Sequence, residues 1–215
     1  MDNLKEISKQ TIERYSNRYK AFGKDIKTLG WGNLEQQEYR FRNTLSSSDF
    51  SGKSVVDIGC GFGDYFNFLK KNSVEISSYS GWELNKDLLE NLERSNNLNA
   101  SFRVVDIGLD DLSIYSSKFN IGIMLGLINF NLQSQELNYE YSKKLIKNAF
   151  TIVKDVLVVD FLSTQLTPEY PKENFVFYHD PLKMLEFAFT LTPNVILKHD
   201  YAPIPQKEFM LFLYK

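Results

Sequence analysis

The stretch SVVDIGCGFGDYFNFL, residues 54–69, constrains the fold more strongly than any other part of this 215-residue chain. It passes from a short apolar segment, through three alternating glycines, into a segment with helical periodicity. A glycine-rich turn allows the backbone to reverse sharply and to come close to a ligand. The stretch therefore predicts a strand, a turn and a helix, with part of a nucleotide-containing ligand at the turn.

Strand and helix signals continue to alternate after this unit. Apolar runs and helical spacings predict strands at 55–58, 78–84, 101–107, 119–128 and 156–163, and helices at 64–71, around 88–92 and at about 134–152. Asp180-Pro181 predicts the start of a late helix, and the apolar runs 194–201 and 208–215 predict an antiparallel hairpin. This order indicates an α/β fold with a doubly wound, mostly parallel seven-stranded sheet and a C-terminal antiparallel hairpin.

The segment before the first strand predicts a helical N-terminal cap, in which the apolar spacing over 4–21 fits a short helix only loosely. Asn33 is a suitable N-cap for a helix over 34–46. The apolar face of that helix holds Leu34, Phe41 and Leu45. We predict a single domain over 1–215, with the cap over 1–50 and the α/β core over 51–215.

Composition disfavours several functional classes. The formal net charge of -2 lacks the basic surplus that is usual for nucleic-acid binding. The longest apolar run, 121–130, is too short to span a bilayer. Cys60 is the one cysteine, which is consistent with a reducing compartment, and no cluster has metal-ligand spacing. We therefore expect a cytoplasmic protein without a metal, membrane or nucleic-acid partner, and leave its oligomeric state open.

The residues around the glycine turn favour a ligand that is positively charged at this point. A dinucleotide-binding turn reads G-x-G-x-x-G/A, and the last of these positions is Asp64 here. Asp57 precedes the first glycine by two residues, and no Lys-Ser/Thr pair follows, which excludes a Walker-type phosphate loop. Two carboxylates beside the turn would repel a phosphate, so they favour a cationic segment.

Three acids recur at the ends of the first three predicted strands. Asp57, Glu83 and Asp106 are separated by 26 and 23 residues, which is about one β-α unit each. Ligands of doubly wound folds bind at the carboxyl ends of the strands. Glu83, at the second strand, is placed to accept hydrogen bonds from both ribose hydroxyls. The pattern predicts a nucleoside with a positively charged tail.

The motifs VVDIGCGFGD, GWELN and VVDI resemble the first three signature motifs of class I S-adenosylmethionine-dependent methyltransferases, which have a Rossmann-like fold. The resemblance covers residues 50 to 163 and implies S-adenosylmethionine as the cofactor. By analogy, the glycine turn meets the methionine part, Glu83 the ribose, and Asp106 with the backbone of Ile107 the adenine. The implied cofactor-binding residues are Asp57, Gly59, Cys60, Gly61, Glu83, Leu84, Asp106, Ile107 and Leu125.

The cap also offers candidate cofactor residues. Gln37 lies three residues after Leu34, so it points toward the protein and needs either a ligand or a backbone partner. Arg40 reaches the same side and can pair with the cofactor carboxylate. Since N-terminal segments of this family often fold over the cofactor, Trp31, Gln37 and Arg40 are expected at its methionine end. The alternative is a capping helix with ordinary surface polar groups.

The acceptor site is harder to predict. A hydroxyl acceptor benefits from a general base, and His179 lies in a loop where substrate pockets form in such folds. His199 is a second candidate, while Tyr178 and Phe130 are candidates for the wall of the acceptor site. A nucleophilic Cys60 is disfavoured, because a small apolar residue is usual between turn glycines.

These observations predict a methyltransferase that acts on an oxygen or nitrogen of a small molecule by in-line transfer. One alternative is a methyltransferase-like binding or regulatory module without turnover. Another is a protein or nucleic-acid methyltransferase, for which a basic face or an N/D-P-P-Y-type motif would be the sign.

Overall fold

The structure is a computed structural model that describes residues 2–90, 92, 99–166, 168, 172–201 and 207–215. The helices are α1 (Asp2–Phe22), α2 (Ile26–Leu29), α3 (Leu34–Thr44), α4 (Asp64–Lys71), α5 (Lys86–Leu89), α6 (Gln135–Ile152) and α7 (Pro181–Phe189). The strands are β1 (Lys53–Ile58), β2 (Ile76–Glu83), β3 (Ala100–Val104), β4 (Phe119–Met124), β5 (Val153–Leu162), β6 (Val195–Lys198) and β7 (Glu208–Tyr214). The chain divides into two compact units, Met1–Ile114 and Tyr115–Lys215.

The sheet has the predicted architecture. Its seven strands follow the order β3-β2-β1-β4-β5-β7-β6. β1 pairs with β2, β2 with β3 and β4 with β5 in parallel, whereas β7 is antiparallel to β5 and β6. A mostly parallel Rossmann-like sheet with a C-terminal antiparallel hairpin is thereby confirmed. The single-domain organisation stays a prediction.

The core of the first unit fixes where β1 and β2 end. Val55 and Val56 on β1 have no exposed surface. Gly81 on β2 has no room for a side chain, because an added Cβ would lie 2.5 Å from a ring carbon of Phe102 on β3. On α4, the ring of Phe68 packs 5.4 Å from that of Phe41, which joins the cap helix α3 to the core.

The second unit is built on strands that are buried on both faces. All the residues of β5 from Val156 on, and those of β7 from Glu208 to Leu213, are buried, as expected for covered strands. The rings of Phe161 and Phe209 stack with their centres 4.6 Å apart. α7 begins as predicted, with Asp180 as N-cap and Pro181 in the first turn.

Three local predictions differ from the structure. The fourth strand ends at Met124 and not at 128, because the chain turns at Gly126, where φ is +68°. Leu34 is 59% exposed rather than packed. Side chains tilt toward the N-terminus of a helix, so the side chain of this first residue extends past the contact face of α3. The first helix, only loosely indicated by sequence, spans 21 residues.

Some predicted segments fall outside the described residues, namely position 91 of the helix around 88–92 and the hairpin connection at 202–206. Among the residues that the structure does describe, no helix combines the length and the apolar character needed to cross a bilayer.

Candidate functional site

The glycine turn after β1 is held by backbone contacts to the end of β2. Gly59, Gly61 and Gly63 have φ values of +81°, +53° and +71°, all in the left-handed region that favours glycine. The N–H groups of Gly59 and Cys60 donate to the carbonyl of Trp82 at 2.7 and 3.0 Å. These bonds place the turn beside the last residues of β2.

Glu83, the last residue of β2, joins this turn through its side chain. Its buried carboxylate accepts hydrogen bonds from the N–H of Gly61 at 3.0 Å and from the N–H of Asn85 at 2.9 Å. Burial raises the pKa of Glu83, and these backbone donors oppose the rise. A carboxylate offers about four acceptor positions, so the group keeps the capacity to accept a further donor from a ligand.

Asp57, inside β1, is a buried carboxylate close to the turn. The hydroxyl of Tyr79 donates a hydrogen bond to its carboxylate. Burial raises the pKa of Asp57 to about 7; the Tyr79 hydrogen bond opposes this, and the charges of Glu83 and Asp64 add to it. A cation bound here would favour the ionised form, because it would offset both burial and the neighbouring negative charges.

Asp106 lies just past β3, and both of its carboxylate oxygens accept hydrogen bonds. One carboxylate oxygen accepts from the N–H groups of Gly108 and Leu109 at 2.8 and 3.2 Å. The other accepts from the hydroxyl of Ser8, on α1, at 2.5 Å. The N–H of the preceding Val105 donates to the carbonyl of Glu83, which joins the ends of β2 and β3.

Helix α1 covers this edge of the first unit through a row of polar contacts that sequence reasoning missed. Besides Ser8, the hydroxyl of Ser16 donates to Asp87 at 2.6 Å. The side-chain amide of Asn85 donates to the carbonyl of Ile12 at 3.1 Å and to the hydroxyl of Ser16 at 3.0 Å. The i, i+4, i+8 spacing of residues 8, 12 and 16 was the available signal, because such residues lie along one side of a helix.

The cap residues Trp31, Gln37 and Arg40 are placed as follows. Gln37 points inward as expected, but its partner is a side chain: its amide donates to Asp64, at the start of α4, at 3.0 Å. The guanidinium of Arg40 lies 4.6 Å from the centre of the Trp31 ring and donates to the carbonyl of Gln36 at 3.2 Å. Their roles toward a cofactor stay predictions.

Three other predicted cofactor contacts have clear surroundings. Cys60 is buried in the turn, and burial, with the charges of Asp57 and Glu83, raises the pKa of its thiol, so it stays protonated. Leu84 is half-buried next to Glu83, and Ile107 is buried. No group of three or more His, Cys, Asp or Glu residues suited to a metal occurs in the described part of the chain.

Leu125, Tyr178 and His179 belong to the second unit. Leu125 is buried directly after β4, beside Gly126, whose N–H donates to the carboxylate of Asp160 at 2.6 Å. The hydroxyl of Tyr178 accepts a hydrogen bond from the N–H of Glu173 at 3.1 Å. A place in cofactor or acceptor binding stays a prediction for each of the three.

The surroundings of His179 favour a structural role over a general base. Its ring has no exposed surface, and Nε2 lies 2.9 Å from the hydroxyl of Ser142. The rings of Phe161 and Phe177 pack edge-on at 5.1 and 4.8 Å. Burial lowers the pKa of His179 to about 3, so the imidazole is neutral. The other histidine, His199, has its pKa lowered by burial and by Lys207.

No family model matches the sequence, and no curated protein matches it. Solved structures do match. An S-adenosylmethionine-dependent methyltransferase from Mesorhizobium loti has a TM-score of 0.62 at 10% identity, covering 84% of this chain and 98% of that one. One from Archaeoglobus fulgidus has a TM-score of 0.58 at 13% identity, covering 86% and 95%.

A third match is the small RNA methyltransferase HEN1, with a TM-score of 0.63 at 14% identity, covering 86% of this chain and 26% of that one. At identities this low, the likeness shows a shared fold.

Proposed function

We propose that this chain, which has the fold of S-adenosylmethionine-dependent methyltransferases, is an enzyme of that type that methylates an oxygen or nitrogen of a small molecule. The observation that carries the proposal is the set of three carboxylates, Asp57, Glu83 and Asp106, at or just beyond the ends of three neighbouring parallel strands. Ligands of such sheets bind at these strand ends.

The residues present fit the expected cofactor, S-adenosylmethionine. Gly61 has a positive φ that disfavours side chains, and an added Cβ would lie 2.9 Å from the end of the Leu29 side chain, so glycine is the residue that fits this position of the turn. Asp57 and Asp64 suit the positive charges of the cofactor's amino group and sulfonium. Glu83 supplies acceptors for the ribose hydroxyls, because its known partners are backbone N–H groups that use one lone pair each.

The remaining contacts are proposed by position. Asp106 and the backbone of Ile107 would receive the adenine, and Leu84 would lie beside the ribose. The proposed contacts of the methionine part are Gly59, Cys60, Leu125, Trp31, Gln37 and Arg40. Bound cofactor would supply the electrophilic methyl group. The protein would hold it in line with the acceptor, and such alignment accounts for much of the rate of transfer.

A small-molecule acceptor is favoured over a nucleic acid because the chain carries a net charge of -2. Tyr178 remains a candidate for the wall of the acceptor site. His179 would act as a base only after a rearrangement that exposes its buried ring. Transfer without a protein base is therefore the form of the reaction that we propose.

The proposal is tested first by titration calorimetry with S-adenosylmethionine on the wild type and two variants. Glu83→Gln removes the charge of the proposed ribose acceptor, and Glu90→Gln removes the charge of an exposed acid beyond the same strand. Hydrogen bonds to charged groups contribute about 1.5–3 kcal/mol. Glu83→Gln should therefore weaken binding by about 10- to 100-fold. Glu90→Gln should leave binding unchanged.

The second measurement is transfer of labelled methyl from the cofactor to a fractionated cell extract. Label in the low-molecular-weight fraction supports the proposed function. If label appeared only in protein or RNA, the acceptor would be a macromolecule and not the proposed small molecule. Cofactor binding without any transfer would favour the binding or regulatory module, and no binding by the wild type would overturn the proposal.

A further inference from the structure

A cavity of about 470 Å³ lies within the second unit. It is bordered by residues that follow the parallel strands β4 and β5, such as Asn131 and Thr164, and by the start of α6. Its volume lies in the range of small-molecule sites, roughly 300–1,000 Å³. Its place beyond the carboxyl ends of two parallel strands is where ligands of α/β sheets bind.

One wall of the cavity is the segment 172–178, which is held by backbone contacts on its inner side. Phe130 and Val176 form an antiparallel bridge. Around it, the N–H of Phe177 donates to the carbonyl of Asn129 at 2.9 Å, and the N–H of Asn131 donates to the carbonyl of Phe175 at 3.1 Å. This wall is therefore fixed by main-chain hydrogen bonds to the segment that follows β4.

The next residue along, His179, fixes the same segment to β5 and to α6. Its N–H donates to the carbonyl of Leu162 at 2.7 Å, and its carbonyl accepts from the N–H of Thr164 at 2.9 Å. Its ring contacts the hydroxyl of Ser142, on α6, at 2.9 Å. The buried imidazole thus has a role that geometry supports: it positions the wall of the cavity.

The lining of the cavity combines apolar and polar groups and is asymmetric in charge. Val176, Phe177 and Leu166 supply the apolar surface. Amide and hydroxyl groups come from Asn131, Gln133, Gln135, Ser134, Thr164 and Tyr178. Among the lining residues that the structure describes, Lys172 is the one cationic side chain, and there is no carboxylate. The nearby acids Glu136 and Glu173 are not part of this lining.

We infer that this cavity is the acceptor site, and that it takes a small molecule with an apolar, ring-sized body and a carboxylate or comparable anionic group. Lys172 is the counter-charge, while the amides and hydroxyls bind the polar groups of the acceptor. An amine of the same shape is disfavoured, because it would meet the cation of Lys172, and the described lining residues include no acid to offset that charge. The identification of the bound molecule as a methyl acceptor rests on the proposed function. The binding of an anionic molecule in this cavity does not, because it is independent of the cofactor.

The test is a pair of probes that share a phenol ring and differ in charge, 4-hydroxyphenylacetate and tyramine. Each is titrated into ¹⁵N-labelled full-length protein and followed by amide chemical shifts. We expect 4-hydroxyphenylacetate to bind at least about tenfold more tightly than tyramine, with shifts concentrated on residues such as Asn131, Thr164 and Phe177. Equal binding of the two probes, or shifts confined to other residues, would overturn the inference.

Two charge-reversal variants sharpen the test. Lys172→Glu should reverse the preference toward tyramine, because it replaces the cation of the lining by an acid. Lys154→Glu makes the same change at an exposed position near the opposite end of β5 and should keep the wild-type preference. Both lysines are exposed, so neither variant threatens folding. An unchanged preference in Lys172→Glu would contradict the assignment.

A variant that fills the cavity provides an independent check. Val176→Trp should abolish binding of 4-hydroxyphenylacetate, and unchanged binding in a variant with a wild-type melting temperature would refute the site. If this variant unfolds, the probe preferences of Lys172→Glu and Lys154→Glu still test whether the cavity is the binding site. Failure of the inference is distinguishable from failure of the proposed function, because the first is read from probe binding and the second from S-adenosylmethionine binding.

Discussion

Asp57, Glu83 and Asp106 differ in how readily their present partners can be exchanged for a ligand. Glu83 accepts from the backbone N–H of Gly61, in the turn, and from that of Asn85, just beyond β2, and neither donor can leave without a rearrangement of the main chain. Asp57 accepts from the hydroxyl of Tyr79, and Asp106 from the hydroxyl of Ser8, in addition to backbone donors in the case of Asp106. A side-chain hydroxyl can rotate away, so these two acids can change partners.

Asp57 should make the ligand-free protein less stable as pH rises. Its pKa is about 7 in the folded chain, against an ordinary value of 3.8, so the folded state holds a proton that the unfolded state has lost. Asp57→Asn removes this effect. The difference in unfolding free energy between this variant and the wild type, measured by urea denaturation, should shift in favour of the variant by about 3 kcal/mol from pH 5 to pH 8.

The same substitution should weaken S-adenosylmethionine binding at pH 8, where the wild-type carboxylate is ionised. The two effects have opposite signs, which separates a binding role from a structural one. A variant that gains no stability at pH 8 would show that Asp57 is not held in a raised-pKa state.

Gly61 is expected to be required for binding beyond its effect on folding. Gly61→Val places a branched side chain at a positive φ, at a cost of about 1–2 kcal/mol or more, and fills the space next to Leu29. Gly52→Val is the matched control, because φ is +65° there and an added Cβ has no atom within 4 Å. In thermal denaturation, Gly61→Val should lose at least as much stability as Gly52→Val, because both pay for the positive φ and only the first must also displace the Leu29 side chain.

In calorimetry, only Gly61→Val should lose cofactor affinity, by at least about tenfold, because only this side chain occupies the ligand's approach to the turn. Equal affinity in the two variants would remove the turn from the proposed binding site.

At the scale of elements, α1 is fixed by side-chain hydrogen bonds to residues at and beyond the ends of β2 and β3. Ser8 binds Asp106, and Ser16 binds Asp87, so two turns of one helix contact the edge where the nucleoside is proposed to bind. A helix with loosely spaced apolar residues gains much of its stability from such tertiary contacts. That explains why its sequence indicates a helix only loosely.

Ser8→Ala should tighten S-adenosylmethionine binding. The hydroxyl of Ser8 occupies an oxygen of Asp106, the proposed partner of the adenine, and a net hydrogen bond contributes about 0.5–1.5 kcal/mol. Its removal should lower the dissociation constant by about 2- to 10-fold, measured by calorimetry. Ser16→Ala is the control, since it also removes a hydroxyl of α1 that binds a carboxylate but leaves Asp106 occupied. Weaker binding by Ser8→Ala would assign the hydroxyl to the bound cofactor instead.

The sheet and the start of α7 could be predicted because local rules and tertiary structure agree there. Apolar runs mark strands that are buried on both faces, and Asp180-Pro181 is a helix start whatever surrounds it. The order of strands and the acids at their ends follow from the same pattern. These features are properties of short segments.

The partners of the polar side chains could not be predicted in the same way. The sequence placed Gln37 toward the protein, but its bond to Asp64 depends on how α3 meets α4. His179 follows a loop in sequence, yet its ring is fully buried against α6 and β5, so its position suggested chemistry that its surroundings disfavour. The contact of Ser8 with Asp106 joins residues 98 apart, which no local pattern specifies.

For the whole molecule, Asp57 and His179 should have opposite effects on the pH dependence of stability. Burial lowers the pKa of His179 to about 3 from 6.5, so the unfolded chain takes up a proton first as pH falls, and stability is lost between pH 6.5 and 3. Because of Asp57, the folded protein instead loses stability as pH rises from 3.8 to 7. Between pH 4 and 6.5 each contributes about 3 kcal/mol, and the two contributions nearly offset each other.

In His179→Gln the contribution of His179 is absent, so the pH dependence due to Asp57 should become visible. The unfolding free energy of this variant should fall as pH rises over this range. Gln keeps a polar group for Ser142 and does not titrate. Urea denaturation at pH 4, 5 and 6.5 measures the slope, and Asp57→Asn should show the opposite one. If the unfolding free energy of both variants depended on pH as it does in the wild type, neither Asp57 nor His179 would have the shifted pKa given above.

The seating of α1 on Asp106 has a consequence for the working cycle. With the nucleoside at the proposed site beside Asp106, α1 would have to move before the nucleoside could leave, so the release of the used cofactor would depend on the first turns of this helix and not on the reacting atoms. A ligand or partner that bound the first turns of α1 would then slow turnover without contacting the reacting groups.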